Sequence, residues 1–291
     1  MRALITGWFG MQDGEITAGD ALAAHAVRGW LREAGLPHDV AMADGFRHDG
    51  ELAPEHVDPA AYTHVLFVCG PTASDRVQRL LAPFAHCRRI AVGTSQAAGT
   101  PGLFDAVLAR DGDGPARPDL SLGAPVGRVP VVAAVLAHEQ PEYGEAGAHE
   151  AANALVVSLL GAADVAPLPV DTRLDPRDGL ACATAAQLQS VLARVDAVVT
   201  TRLHGLVLAL GAGVPALALD PIAGGAKVTA QATALRWPAA RIVDGAQPAD
   251  LHGLLAWCLG NEARAQARAA ARHGEAGLEQ VRADLLGLLA R

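Results

Sequence analysis

Residues 194–228 read RVDAVVTTRLHGLVLALGAGVPALALDPIAGGAKV, and the periodicity of this stretch sets the fold class. Ala197 to Val199 is a short apolar, β-branched run that ends at Thr200 and Thr201, which predicts a strand. From Arg202 to Leu210 the chain is apolar except for Arg202, His204 and Gly205, the pattern of a helix buried on most sides. Gly211, Gly213 and Pro215 close that helix. A second strand, Ala216 to Leu219, runs into Asp220, a glycine pair and Lys227. Strand, helix and strand in this order give a parallel α/β sheet with its polar residues at the strand exits, where such sheets bind ligands.

The polar residues at these exits have a shared chemistry. The free N–H groups at a helix start attract an anion. Arg202 adds a planar fork for carboxylate or phosphate, and His204 beside it adds a group able to move a proton on or off the bound anion. Lys227, beyond Gly224 and Gly225, is placed to reach a second anionic group. Arg202 and His204 together at a strand-to-helix exit favour function over a structural arginine and a satisfied core histidine.

Composition narrows the classes. The chain has 291 residues, 51% of them apolar, enough for one large or two ordinary domains. A net charge of −8 argues against nucleic-acid binding, but leaves room for a local anion site. Cys69, Cys87, Cys182 and Cys258 are widely spaced, as expected of reduced thiols in a cytoplasmic protein. The N-terminus enters a strand directly and meets Asp13 and Glu15, unlike a signal peptide. The longest apolar stretch, Leu203 to Leu219, is too short to span a bilayer, so a soluble protein is expected.

Strands and helices alternate along the rest of the chain. In the first half, strands are expected at Arg2 to Thr6, His38 to Met42, Tyr62 to Cys69 and Arg89 to Val92, with an amphipathic helix from Asp20 to Ala34. Gly7 to Gly19 reads as a loop, and 44–60 as loop or short helix. Residues 111–128, rich in glycine and proline, read as a linker, which divides the chain into lobes at 1–120 and 121–291. The second half continues with strands at Val129 to Leu136 and Ala163 to Val170, then a charged loop, Asp171 to Asp178. A long terminal helix over 262–289 is expected to break near Gly274.

The sequence TRLHG, followed by the apolar helix, GVP, DP and a lysine, resembles the C-terminal signature of polysaccharide pyruvyl transferases. The opening GWFGMQDGEITAGDALAAHAV, residues 7–27, is similar to the start of that family. The resemblance implies two Rossmann-like parallel-sheet lobes facing a cleft, the glycosyltransferase B type. It further implies a transferase with phosphoenolpyruvate as donor and a sugar or glycan as acceptor. Thr201, Arg202, Leu203 and Lys227 would hold the donor, and His204 would move the proton. Members of the family often carry an arginine near the exit of the strand at 129–136. Here that exit reads LAHEQ, so either His138 is the substitute or the donor site differs from the family's. Gly10, Gly19 and Asp20, at another strand exit, are candidates for substrate contact, with Asp20 as a base toward the acceptor.

No organic cofactor or metal is expected. The G-x-F-G turn is not a dinucleotide fingerprint. His138-Glu139 and His149-Glu150 do not form H-E-x-x-H. Two alternatives share the architecture: a glycosyltransferase gripping a nucleotide sugar, and an inert family member that binds a glycan or a protein partner. A homodimer is compatible with all three.

Overall fold

The computed structural model describes residues 1–11, 16–48, 50–96, 102–112, 114–125 and 127–290. The chain divides into two compact units, Met1–Gly127 and Arg128–Arg291, each built on its own sheet. Both sheets have five strands, all parallel. Val65 and Val199 therefore lie in different sheets, as the alternation of strands and helices in both halves requires.

The first unit contains β1 (Ala3–Thr6), α1 (Ala18–Glu33), β2 (His38–Val40), β3 (His64–Val68), α2 (Asp75–Leu81), β4 (Arg88–Val92) and β5 (Ala106–Leu108). Its spatial order is β2-β1-β3-β4-β5. Strand periodicity splits its core in two: Ile5 packs with α1 residues on one side, while Leu4 packs with Val77 and Leu81 of α2 on the other. The expected loop over Gly7 to Gly19 contains a 3-10 turn, Trp8–Gly10, and gives way to α1 already at Ala18; residues 12–15, with Asp13 and Glu15, lie outside the described residues. The 44–60 segment forms two short 3-10 turns, Pro54–His56 and Pro59–Ala61.

The second unit contains β6 (Val131–Val135), α3 (His149–Ala162), β7 (Ala166–Pro169), α4 (Ala185–Leu192), β8 (Ala197–Thr200), α5 (Leu203–Gly211), β9 (Ala216–Asp220), α6 (Lys227–Ala234), β10 (Ala240–Ile242), α7 (Pro248–Cys258) and α8 (Asn261–Leu289). Its order is β10-β9-β8-β6-β7. Counted from the first strand of each unit, both sheets run 2-1-3-4-5. In that order the connection changes direction between the first and third strands, and the crevice there is the preferred ligand position. In the second unit this places the crevice between β6 and β8.

One expectation fails at the terminal helix. α8 runs unbroken through Gly274. A Cβ at 274 would come within 2.8 Å of a Leu235 methyl, so this glycine permits a close helix approach rather than ending the helix. The buried face of α8, Ala263, Ala267 and Ala270, anchors it to the core of the second unit. Among the described residues, no helix is long and apolar enough to cross a membrane.

Candidate functional site

The exits of β6, β7 and β8 are neighbours in the sheet, and they carry the chemistry. Two threonines at the end of β8 set the frame. The buried Thr200 hydroxyl donates to the Val135 carbonyl at 2.8 Å and accepts the Arg202 amide at 2.9 Å. The Thr201 hydroxyl accepts the Ala137 amide at 2.8 Å and donates to Asn153 Oδ1 at 2.8 Å. Asn153, on α3, returns a bond from Nδ2 to the Ala137 carbonyl at 2.9 Å. Buried polar groups paired this completely hold the β6 and β8 exits in one geometry.

Arg202 follows as the N-cap residue of α5, and no side chain caps that helix. Its first amides therefore keep their capacity to receive an anion. Gly205 allows the helix to start this close to the sheet: a Cβ there would lie 2.2 Å from the Thr200 hydroxyl oxygen and 3.0 Å from a Val135 methyl. His204 stands exposed on the first turn. Leu203 beside it is half-buried.

A carboxylate that the sequence reading passed over joins these exits. Asp171, just past β7, accepts from Arg202 Nη1 at 2.8 Å and lies 3.0 Å from His138 Nε2. It also accepts the Arg173 amide at 2.8 Å and Arg173 Nε at 3.1 Å. The Arg173 guanidinium in turn lies 2.5 Å from His138 Nε2. One carboxylate is thus shared by two guanidiniums and an imidazole. Partial burial alone would raise the Asp171 carboxyl, but the Arg173 amide, His138, Arg173 and the Arg202 charge together hold it down at about 2. An apolar groove of about 560 Å³ between α3 and the β6–β7 edge ends at His138 and Asp171.

The other candidates separate by unit. Lys227 is the first residue of α6, and its Nζ sits 5.4 Å from the Tyr143 ring centroid, a cation–π distance. The loop before it is organised by the fully buried Asp220, which accepts the Ala226 and Thr229 amides, each at 2.8 Å. Gly10, Gly19 and Asp20 belong to the first unit. Gly10 packs where a Cβ would meet the Thr6 hydroxyl oxygen at 2.2 Å. Gly19 lies in the first turn of α1, and the Asp20 carboxylate closes a capping box, accepting the Thr17 hydroxyl at 2.7 Å and amide at 3.1 Å. At the β3 exit nearby, Cys69 adopts a φ of 60°. Burial, with the charges of Asp119 and Asp20, pushes its thiol up to about 11, so it is a poor nucleophile. Among the described residues no His, Cys, Asp or Glu side chains gather as a set of three metal ligands.

Fold and site define a two-unit parallel α/β protein with a cationic cluster at a topological switch point. Residues 168–221 match the model of the polysaccharide pyruvyl transferase family, a segment that holds Asp171, Arg173, Arg202 and His204. This match supports a glycan-modifying transferase. No curated protein matches the chain. Among solved structures, the chain is similar to spinosyn forosaminyltransferase SpnP, at 15% identity with all of both chains covered and a TM-score of 0.36. It is also similar to spinosyn rhamnosyltransferase SpnG complexed with spinosyn aglycone, at 13% identity over 95% of this chain and 96% of that one, with a TM-score of 0.36. MurG of Acinetobacter baumannii gives 12% identity over 94% and 95% of the two chains and a TM-score of 0.34.

Proposed function

We propose that the chain transfers a pyruvyl group from phosphoenolpyruvate to two hydroxyls of a sugar or glycan. The observation that carries this reading is the pairing of an arginine and an exposed histidine at the uncapped start of α5, within the segment matched by the pyruvyl transferase model. In this reading Arg202 and the α5 amides hold the donor's phosphate or carboxylate, with Thr201 and Leu203 shaping the turn and Lys227 and His138 available to further donor oxygens. His204 delivers a proton to the methylene carbon, and the double-bond electrons form the new C–H bond. The central carbon becomes cation-like, and the first sugar hydroxyl attacks it. The C–O bond to phosphate then breaks, phosphate leaves with the electron pair, and the second hydroxyl completes the ketal. Of the two hydroxyl protons released, one restores His204 and one leaves with phosphate. Asp20 is the weaker candidate for a base toward the acceptor, because its carboxylate already accepts two bonds from Thr17. The mechanism calls on no metal or organic cofactor.

A thermal-shift panel tests the reading. Phosphoenolpyruvate is expected to raise the melting temperature, since a ligand that binds only the folded state stabilises it by mass action. A shift with nucleotide sugars and none with phosphoenolpyruvate would replace pyruvyl transfer by glycosyl transfer. A shift with neither would leave a protein that binds a glycan or a partner without catalysis.

A further inference from the structure

We propose that Asp171 occupies the anion site of the free protein as an internal stand-in for the ligand, and that Arg173 is the second cation uncovered when the ligand displaces it. This rests on the donor-site reading above and deepens it: the ligand class is a dianionic phosphate or phosphate ester, gripped by Arg202 and Arg173 together.

The hydrogen bonds carry the argument. Among the described residues, Asp171 is the sole hydrogen-bond partner of the Arg202 guanidinium, and it uses only Nη1. Among the described residues, the Arg173 guanidinium bonds only to Asp171 and His138. Two fixed positive charges therefore share a single negative charge, which leaves the cluster one charge short. A dianion placed between the same forks would supply that charge and more oxygens for the remaining N–H groups. Exposure is graded in the direction that exchange needs, from 23% for the Arg202 side chain through 36% for Asp171 to 60% for Arg173. Asp171 itself lies outside the regular elements. It stands at the head of an irregular segment, residues 170–184, between β7 and α4, and its own backbone is not part of the sheet.

The opposite role is equally concrete. If Asp171 only orients the two arginines, its charge helps ligand binding and its removal weakens it. Titration calorimetry with inorganic phosphate on the full chain separates the two by sign. Asp171→Asn is expected to bind phosphate about tenfold more tightly than wild type, because a competing charge-assisted contact has gone. Arg173→Gln is expected to bind about tenfold more weakly, and in the double variant the gain from Asp171→Asn should shrink. Equal or weaker phosphate binding by Asp171→Asn, or no detectable binding by either protein, overturns the proposal. If Asp171→Asn does not fold, Arg173→Gln decides alone, and unchanged affinity there overturns it. The same titrations with phosphoenolpyruvate keep the two ideas apart. Tighter phosphate binding without phosphoenolpyruvate binding in any variant would retain the exchange and remove the pyruvyl reading. Phosphoenolpyruvate binding with no gain in Asp171→Asn would do the reverse.

Discussion

The two sheets share a strand order but treat their exit edges in opposite ways. In the second unit one carboxylate, Asp171, serves Arg202, Arg173 and His138. In the first unit one guanidinium, Arg110 just past β5, serves two carboxylates and a hydroxyl. Its Nε reaches Asp111 at 2.8 Å, Nη1 reaches Asp119 at 2.7 Å, and Nη2 reaches Ser95 Oγ at 2.8 Å. The cluster of the second unit carries an excess positive charge and that of the first unit an excess negative one. A strand exit in a parallel sheet is thus a favourable place for a ligand, but the local charge count decides whether an anion is welcome. Arg110 has every side of its fork engaged, whereas Arg202 keeps donors to offer.

Replacing the fork by a point charge in each unit tests this contrast most severely. Arg202→Lys keeps the charge but loses parallel N–H donation, and should weaken phosphoenolpyruvate binding by roughly 1.5–3 kcal/mol, about ten- to a hundredfold. Arg202→Ala should be at least as damaging, with melting little changed in both. Arg110→Lys should do the opposite, lowering the melting temperature while the folded protein binds donor as before. Calorimetry and melting curves on the same proteins read both. Normal donor affinity in Arg202→Lys would remove the central residue of the mechanism.

The glycines that touch the strand-end threonines offer a second comparison. Gly205 and Gly10 each stand where a Cβ would lie 2.2 Å from a threonine hydroxyl oxygen, Thr200 and Thr6 respectively. The Thr200 hydroxyl is engaged with the Val135 carbonyl and the Arg202 amide, while the buried Thr6 hydroxyl has no partner among the described residues. Gly205→Ala must therefore push against a bonded group, and overpacking of this kind costs about 1–3 kcal/mol. Gly10→Ala should cost less, because Thr6 is able to turn without breaking a bond, although the Ala41 carbonyl at 3.0 Å sets a limit. Chemical denaturation of the two variants measures this, and a larger loss at Gly10 would contradict it. Donor affinity should fall only in Gly205→Ala, whose strain passes directly to Arg202.

These pairs also show what the chain alone could reveal. The turn that carries the candidates Arg202 and His204 was legible because its motif is contiguous: strand, polar turn and apolar helix all lie within residues 197–211. The two parallel sheets were legible from the alternation of elements in each half. Asp171 and Arg173 were not, since they lie in a charged loop some thirty residues upstream of Arg202. They meet the site only because β6 stands between β7 and β8, and strand order is a tertiary property. The available signal was the position of DTR immediately after a strand. Gly274 misled for a related reason. Intrinsic propensity disfavours glycine inside a helix by about 1 kcal/mol, but the approach of Leu235 at that point outweighs it.

The smallest expected effect concerns acid, and its sign follows from the same carboxylates. The Asp171 carboxyl is held at about 2 against an ordinary 3.8, so the folded chain binds fewer protons there than the unfolded chain does. The stabilisation this gives is complete above the ordinary value and is lost as pH falls from about 4 toward 2. More than a third of the Asp171 side chain is exposed, so solvent screening keeps the contribution below about 1 kcal/mol. In the first unit the Asp111 carboxyl is lowered by its bond to Arg110, and Asp119 by the Ser121 amide and hydroxyl together with Arg110, so acid should loosen that cluster too. Melting temperatures of wild type and Asp171→Asn, measured from pH 6 down to pH 2.5, should converge toward the acid end, because only wild type has this contribution to lose. Parallel curves would mean that Asp171 gains nothing from its cations on folding. At pH 8 Asp171 is ionised and phosphate is the dianion, so the tighter phosphate binding expected of Asp171→Asn should be read there. No gain at pH 8 would show that Asp171 is not the charge that fills the site.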